Sequence, residues 1–396
     1  MPVRSLLFRS TVIVGAAVSV ATSGCYEPVD TAGVGGGAAI GGGPGVGGTP
    51  GVPDPGTSFG FRPSLAPNIA TDAYQVWRGN FVESCSNGTY RVLSRADESV
   101  SEGIGYGMLL TAIYDADPTA FDGLWRFYNL SADSLTGFMP WRVTGCNASA
   151  TDVNPASDAD LDVAMALILA SCKWGGNYGA DATRMINAIQ EYETQRYNNV
   201  YVLRPGTTWG GATCMNPSYF SPAYYRAFAL QVPEQGEFWN QFATDTYVVL
   251  GQVTQPQTGL VPDWTDWGGA DGCSSDQRAG GYGYDAARTP WRIALDYVWW
   301  GIPESAAWLT PITNWAAATG IANIVDGYEI SGTAVGTVHN SVFVGAFAVG
   351  AMTQSQALVD QFTQDLVGIS DNAYFQLSTR ALYLATLAGN FTRGCR

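Results

Sequence analysis

About a dozen apolar segments of helical length lie between residue 71 and the end of the chain, and they constrain the fold more than any other feature. Gly-, Asn- and Asp-rich loops separate them, and short extended pieces are predicted only at places such as 90–93 and 138–143. The predicted helices span 71–82, 103–115, 118–130, 158–174, 181–196, 218–230, 235–252, 286–301, 304–319, 338–352, 355–367 and 372–388. This pattern predicts an all-α fold.

The predicted helices are of two kinds. "RMINAIQEYETQRY" mixes apolar and charged positions at helical spacing, as in a helix with one face in water. "VAMALILASCKW" (163–174) and "VFVGAFAVGAM" (342–352) are apolar nearly all round, as in helices buried on every side. We therefore expect an inner and an outer layer, arranged as a double ring of helical hairpins in one domain.

The N-terminal part has the features of an export signal and a linker. Basic residues and an apolar stretch at 11–21 precede "TSGC", which resembles a bacterial lipoprotein cleavage box ending at Cys25, although Thr22 replaces the usual leucine. Lipidation of Cys25, giving a membrane tether at the cell surface or outer membrane, and plain secretion are alternatives. Residues 26–57 are rich in Gly and Pro and predict a flexible tether, so the folded domain is expected at 58–396.

The charge balance restricts the kind of partner. With 19 Lys and Arg against 34 Asp and Glu, the net charge is −15, which argues against nucleic acid or an anionic membrane surface as partner. The chain also has 13 Trp, 20 Tyr and 16 Phe but only 13% charged residues, a composition that suits sugar binding, although core packing explains many of these rings.

Six cysteines follow Cys25, at positions 85, 146, 172, 214, 273 and 395. An even set in an exported protein permits up to three disulfides, and the spacing matches no zinc pattern. Cys172 lies inside a predicted buried helix, where a free thiol is the alternative.

Three acidic residues stand where predicted helices begin. Glu102 precedes three closely spaced glycines in "SEGIGYGM", Asp158 lies in "ASDADLD", and Asp285 lies in "GYGYDAARTPW" with Arg288 three residues on. Each acid has an ordinary explanation as a capping or dipole-satisfying residue. If the inner helices are parallel, however, all three acids lie on the same face of the ring. Two carboxyls across a sugar-sized cleft supply an acid for the leaving oxygen and a base for water.

A calcium loop is the other interpretation of Asp158, Asp160 and Asp162. Such a loop needs Gly at its sixth position and Glu at its twelfth, where this chain has Val163 and Leu169. We therefore expect no metal and no cofactor. The sole histidine, His339, is expected to be structural, which argues against histidine-based triads or zinc catalysis.

The motifs together resemble glycoside hydrolase family 8. "ASDADLDVAMALILASCKW" follows that family's signature, and "SEGIGYGM", "NPSYFSPAYYRAF", "GLVPDW", "YDAAR" and "YFQLSTRALYLATLAGNF" appear in the family's order over roughly 59–396. The resemblance implies an (α/α)6 barrel and inverting hydrolysis of β-1,4-linked glycans, with a glycan polysaccharide as partner. A monomer is expected.

The resemblance also implies roles for particular residues. Glu102 matches the general acid, Asp285 the general base, and Asp158 the acid that holds and distorts the sugar at the cleavage subsite. The glycines after Glu102 are expected to let the polysaccharide pass close to the backbone. The remaining matches are to residues around the base and its water (Tyr284, Arg288) and to glycan-stacking or subsite residues (Trp141, Trp209, Tyr219).

The expected substrate follows from Asp285, because chitosanases of the family generally lack an aspartate there. Cellulose or mixed-linkage β-glucan is the first choice, which makes the protein an endo-β-1,4-glucanase, and xylan is the alternative. The long segments at 144–155 and 266–281 are expected to reshape the cleft, with disulfides as possible staples. A glycan-binding surface protein that has lost catalysis is a hypothesis from another class, and the intact pair of acids argues against it.

Overall fold

The computed structural model describes residues 58–150, 152–269, 273 and 280–395. The predicted export signal, the tether and Cys25 lie outside these residues, as does most of 270–279, so the proposed division of the chain stays a prediction. All described residues belong to one compact unit. Among them, no helix combines the length and apolar character that crossing a membrane requires.

Twelve α-helices lie in the described part of the chain, close to the twelve predicted segments. They are Ile69–Phe81 (α1), Ser101–Tyr114 (α2), Thr119–Leu130 (α3), Ser157–Trp174 (α4), Tyr178–Tyr192 (α5), Pro222–Gln231 (α6), Gly236–Val253 (α7), Thr289–Trp300 (α8), Pro303–Thr319 (α9), Ser341–Ala351 (α10), Gln356–Gly368 (α11) and Tyr374–Leu387 (α12). Proline in the first turn of α6, α8 and α9 has the φ angle that a helix start needs. Gly301, at φ 70°, ends α8 in the left-handed conformation.

The even-numbered helices form a closed inner ring. Helix α2 contacts α4, and the contacts continue through α6, α8 and α10 to α12, which returns to α2. These helices are buried along most of their length, as the segments that are apolar nearly all round predict.

The odd-numbered helices form the outer layer. Helices α3, α5, α7, α9 and α11 contact α2, α4, α6, α8 and α10 respectively, and α1 contacts α12. Their buried residues are confined to one face; α5, for example, buries Ala182, Met185, Ile186 and Ile189. The predicted all-α double ring, an (α/α)6 barrel, is confirmed.

Short antiparallel strands lie in the segments that connect the barrel helices. Val82–Ser84 (β1) pairs with Tyr90–Val92 (β2), and Thr194–Tyr197 (β6) pairs with Val200–Leu203 (β7). A three-stranded sheet joins Glu98–Val100 (β3), Arg142–Thr144 (β4) and Ser149–Ala150 (β5), and β3 leads directly into α2.

The glycines after Glu102 have a different function from the expected one. Gly103, Gly105 and Gly107 lie inside α2, because the helix begins at Ser101 rather than 103. A Cβ on Gly103 would come within 2.6 Å of the Tyr374 hydroxyl, and one on Gly105 within 3.0 Å of the Asp162 side chain. The expectation that they expose backbone to the polysaccharide is wrong, because all three are buried and allow neighbouring helices and side chains to approach α2.

Three disulfides join Cys85 to Cys146, Cys172 to Cys395 and Cys214 to Cys273. The alternative that Cys172 has a free thiol is therefore wrong. The C-terminal segment passes α4 at Cys172, and Cys395 forms the disulfide there. The other two bridges each involve one of the long segments, 144–155 and 266–281, as proposed.

Candidate active site

Three carboxylates converge on one buried guanidinium. Nη1 of Arg288 donates to Oε2 of Glu102 at 2.8 Å and to Oδ2 of Asp158 at 2.7 Å, while Nη2 donates to Oδ1 of Asp285 at 2.8 Å. The Arg288 side chain is only 1% exposed and Asp158 only 3%, whereas the Asp285 side chain, at 36%, is partly open to solvent.

The fold brings the acids together because the inner helices present their N-terminal ends on one side. Glu102 lies in the first turn of α2 and Asp158 in the first turn of α4. Asp285 directly precedes the short 3-10 turn Ala286–Arg288 that leads into α8. Their negative charges also interact favourably with the positive ends of these helices.

A cavity of about 290 Å³ contains this cluster. Six of the eight predicted site residues line it: Glu102, Trp141, Asp158, Tyr219, Asp285 and Arg288. The Arg288 guanidinium lies 5.4 Å from the centre of the Tyr219 ring, which contributes a cation–π contact to the wall.

The other two predicted residues, Trp209 and Tyr284, lie beside this cavity rather than in its wall. Trp209 is 38% exposed and stacks on Trp264, with ring centres 5.6 Å apart. The Tyr284 hydroxyl donates to Oδ2 of Asp326 at 3.1 Å. Neither contact tests a role in glycan binding, so that role stays a prediction.

Two residues that contact the acids were not singled out from the sequence. The Tyr374 hydroxyl donates to Oε1 of Glu102 at 3.1 Å, and Nε1 of Trp264 donates to Oδ2 of Asp285 at 2.9 Å. Both lie in stretches that resemble the family, at the start of "YFQLSTR" and the end of "GLVPDW". That resemblance was the available signal for these positions.

The environment of Glu102 favours its protonated form. Burial raises the pKa of Glu102 to about 7; Arg288 and the Tyr374 hydrogen bond oppose the shift, and the charges of Asp158 and Asp285 add to it. This agrees with the direction predicted for an acid.

The pKa of Asp285 is also raised, chiefly by burial, although Arg288 and the Trp264 hydrogen bond favour the ionised form. The predicted influence of Arg288 on Asp285 is therefore present but smaller than the effect of burial. Arg288 also binds Glu102 and Asp158, so it serves all three acids and not the base alone.

Glu102 and Asp285 bind different nitrogens of the same guanidinium. The two oxygens that Arg288 contacts therefore lie within about 8 Å of each other. An inverting glycosidase needs its two carboxyls about 6.5–9.5 Å apart, so that a water fits between the base and the sugar. The shared guanidinium therefore keeps the two acids within the upper limit of that range.

The remaining acids of "ASDADLD" have separate partners. Asp162 forms a buried ion pair with Arg292, with Oδ2 to Nη2 at 2.7 Å. Asp160 accepts a hydrogen bond from the Tyr128 hydroxyl and lies beside the buried Glu193, and burial raises the pKa of Asp160 to about 8. The three aspartates therefore serve different sites rather than one calcium ion.

Potential metal ligands cluster once among the described residues, at Glu83, Cys85 and Cys146, where the two cysteines already form a disulfide. His339 contacts the Ile324 carbonyl oxygen at 2.7 Å and Oδ2 of Asp365 at 2.8 Å. These contacts join the segment before α10 to α11, in agreement with the structural role predicted for His339.

Known proteins resemble this chain over most of its length. "Endoglucanase 2" of Ruminiclostridium josui is 34% identical over 342 residues, covering 83% of this chain and 72% of that protein. "Endoglucanase A" of Acetivibrio thermocellus is 34% identical over 335 residues, covering 80% and 68%. The solved apo structure of a beta-1,3-1,4-glucanase from Paenibacillus sp. X4 superposes with a TM-score of 0.78 at 27% identity, covering 84% and 96%.

With this fold and these relatives, the protein is a glycoside hydrolase. Within that class the chain belongs to glycosyl hydrolases family 8, whose sequence model matches residues 63–388. Family 8 enzymes invert the configuration of the anomeric carbon.

Proposed function

We propose that this protein is an inverting endo-β-1,4-glucanase that cleaves cellulose-type or mixed-linkage β-glucan. The observation that carries the proposal is the convergence of Glu102, Asp158 and Asp285 on Arg288 in one cavity. The names of the relatives supply the substrate class, since those at 34% identity are endoglucanases.

The proposed reaction uses the two carboxyls in complementary states. Glu102, protonated, gives its proton to the glycosidic oxygen as the bond to the anomeric carbon breaks. Asp285, ionised, takes a proton from a water that attacks the anomeric carbon from the opposite face. Asp158 holds the sugar whose bond is cleaved, and Arg288 keeps the three acids in place before substrate enters.

Aromatic side chains supply the stacking surfaces for the glycan. Trp141 and Tyr219 line the cavity, and Trp209 stacks on Trp264, which itself contacts Asp285. Flat rings of this kind bind the apolar faces of sugars while the hydroxyls remain available for hydrogen bonds.

The reaction and the substrate are tested together by a panel of carboxymethylcellulose, lichenan, xylan and chitosan. We expect reducing ends to be released most rapidly from one of the two β-glucans, and proton NMR to detect the α-anomer first. Faster release from xylan would establish the xylanase alternative. Binding without release of reducing sugar would establish an inactive glycan-binding protein.

We also propose that the protein is exported, with residues 1–25 as the signal and 26–57 as the tether. Three disulfides support this proposal, because such bonds persist mainly in oxidising compartments. Radiolabelled palmitate incorporation that disappears in a Cys25→Ser variant would identify a lipoprotein. Unlabelled protein in the medium would identify plain secretion.

A further inference from the structure

The proposed base stands where a helix would ordinarily use it as a cap. Asp285 directly precedes the 3-10 turn Ala286–Arg288, and an aspartate at such a position commonly accepts hydrogen bonds from the first backbone N–H groups of the helix. Among the described residues, the Asp285 side chain caps none of these groups. Its carboxyl oxygens accept from Arg288 and Trp264 instead. The start of the turn therefore needs another acceptor.

Asp263 supplies that acceptor from a preceding loop. Its Oδ1 accepts from the backbone N–H of Ala286 at 2.7 Å and from that of Gly283 at 3.0 Å. The next two N–H groups of the turn donate to backbone carbonyl oxygens, at 3.0 and 3.2 Å. Asp263 therefore takes the capping role that Asp285 would otherwise have, which leaves the Asp285 carboxyl available to the cavity.

The fit between Asp263 and the loop before Asp285 is close. The Asp263 N–H donates to the Gly281 carbonyl oxygen at 2.8 Å. A Cβ on Gly283 would come within 2.3 Å of Oδ2 of Asp263, so glycine leaves the room that the carboxyl group needs. Trp264, the next residue, donates from Nε1 to Oδ2 of Asp285 at 2.9 Å. Two neighbouring residues of "GLVPDW" thus hold the backbone around Asp285 and its side chain.

The charge state of Asp263 suits a hydrogen-bonding role. Burial and the nearby charge of Asp285 raise the pKa of Asp263 to about 8, while Arg288 and the two backbone hydrogen bonds oppose the shift. The buried Tyr282 side chain also interacts with it. Below pH 8 the group is mostly neutral, so an amide in its place keeps both the acceptor oxygen and the charge state.

We propose that Asp263 is a positioning residue for the base: by accepting the backbone N–H groups around Asp285, it keeps the Asp285 carboxyl directed into the catalytic cavity rather than at the backbone of its own turn. This inference rests on the proposed glucanase function. Without Asp263, the Ala286 N–H loses its partner, and the Asp285 carboxyl, one residue away, can replace it as acceptor. A carboxyl that turns to the backbone leaves the position from which it takes a proton from water.

Asp263→Ala and Asp263→Asn separate the hydrogen bonds from a general effect of substitution. Asp263→Ala removes the acceptor and is expected to lower kcat on β-glucan about 10²-fold, with KM within about twofold of the wild type, because a misplaced group slows the chemical step. Asp263→Asn keeps the acceptor oxygen and should retain kcat to within about threefold.

Gly283→Ala gives a second way to displace the Asp263 carboxyl, since the added methyl group would occupy the space of Oδ2. It should lower kcat as Asp263→Ala does. Asp133→Ala is the matched control, because Oδ1 of Asp133 likewise accepts from two backbone N–H groups, those of Leu135 and Thr136 at 3.0 and 2.9 Å. These residues lie in the loop after α3, and the control should keep the wild-type kcat.

The indole N–H resonance of Trp264, assigned with Trp264→Phe, reports the position of Asp285 without turnover. Its proton signal should shift upfield in Asp263→Ala, because the hydrogen bond to Asp285 is lost, and stay at the wild-type position in Asp263→Asn. An unshifted signal or a wild-type kcat in Asp263→Ala, or equal losses of kcat in the two variants, would overturn the inference. An inactive wild-type protein would contradict the proposed function, and the resonance would then decide the role of Asp263.

Discussion

At the scale of single residues, the proposed mechanism assigns Glu102 and Asp285 different tasks, although Arg288 binds both. We expect Glu102→Gln and Asp285→Asn each to lower kcat on β-glucan by about 10²–10⁴-fold, because each removes one proton-transfer group. Glycan affinity should be nearly retained, since both changes preserve side-chain shape. Initial rates of reducing-sugar release and affinity electrophoresis measure the two effects.

The control for these variants is Asp181→Asn, which changes an acid on α5 and should keep the wild-type rate. A wild-type rate in either purified active-site variant would remove that residue from the assignment.

The raised pKa values predict a bell-shaped dependence of kcat/KM on pH. Activity is lost above pH 7 as Glu102, with a pKa of about 7, gives up the proton that it must donate. It is lost on the acid side as Asp285 becomes protonated, at a pH above the ordinary aspartate range because its pKa is raised. A profile measured on a soluble glucan at constant ionic strength gives both limbs.

Tyr374→Phe is expected to move the alkaline limb to higher pH. The Tyr374 hydroxyl donates to Glu102 and so favours its ionised form, which lowers the pKa of Glu102. Removing the hydroxyl should raise that pKa and shift only the alkaline limb. A shift to lower pH, or an equal shift of both limbs, would contradict this role for Tyr374.

The residue scale also separates what the sequence predicts from what it does not. Glu102, Asp158 and Asp285 each stand in a local motif at a helix start, so their convergence follows once the helices form a ring. Tyr374 reaches Glu102 across 272 positions of sequence. No local pattern predicts such a contact, because ring closure alone brings α12 beside α2.

At the scale of elements, the order and number of the helices follow from their apolar periodicity, but some boundaries do not. Helix α2 includes three glycines that have low helix propensity, and tight packing against neighbouring elements compensates for it. The prediction for α5 extends to 196, whereas the helix ends at Tyr192 and β6 begins at Thr194. Residues 194–197 instead form a hairpin with β7.

A buried ion pair between Asp162 and Arg292 joins the inner helices α4 and α8, and both side chains are fully buried. Arg292→Met leaves the Asp162 carboxylate buried without its partner. We expect the free energy of unfolding to fall by about 3–5 kcal/mol. Urea unfolding followed by tryptophan fluorescence measures this loss.

Asp162→Leu combined with Arg292→Met is the matched comparison, because it removes both charges and should recover part of the stability. Arg184→Met, at an exposed pair on α5, should change the free energy of unfolding by less than about 1 kcal/mol. Equal losses in the single and double inner-ring variants would show that packing volume, not the unpaired charge, determines the cost.

At the scale of the whole molecule, the double ring is closed by contact between its last inner helix, α12, and its first, α2. Periodicity predicts two layers, but it does not specify which helices are neighbours at the closure. The resemblance to the family supplied that information before the structure did. The disulfide between Cys172 and Cys395 adds a covalent link between α4 and the chain end, across a sequence separation of 223.

This link should stabilise the fold without assisting catalysis. Cys172 lies 14 residues after Asp158 on the same helix, about 21 Å along its axis, so it is far from the catalytic cavity. Replacing Cys172 and Cys395 by serine is expected to lower the free energy of unfolding by about 2–5 kcal/mol, because the unfolded chain gains freedom.

Replacing Cys214 and Cys273 by serine should instead raise the KM for glucan. Cys214 of that bridge directly precedes Met215, and Met215 pairs with Thr265, the residue next to Trp264. Urea unfolding and glucan kinetics on both double variants distinguish the two roles; a changed KM in the first variant or an unchanged KM in the second would contradict this division.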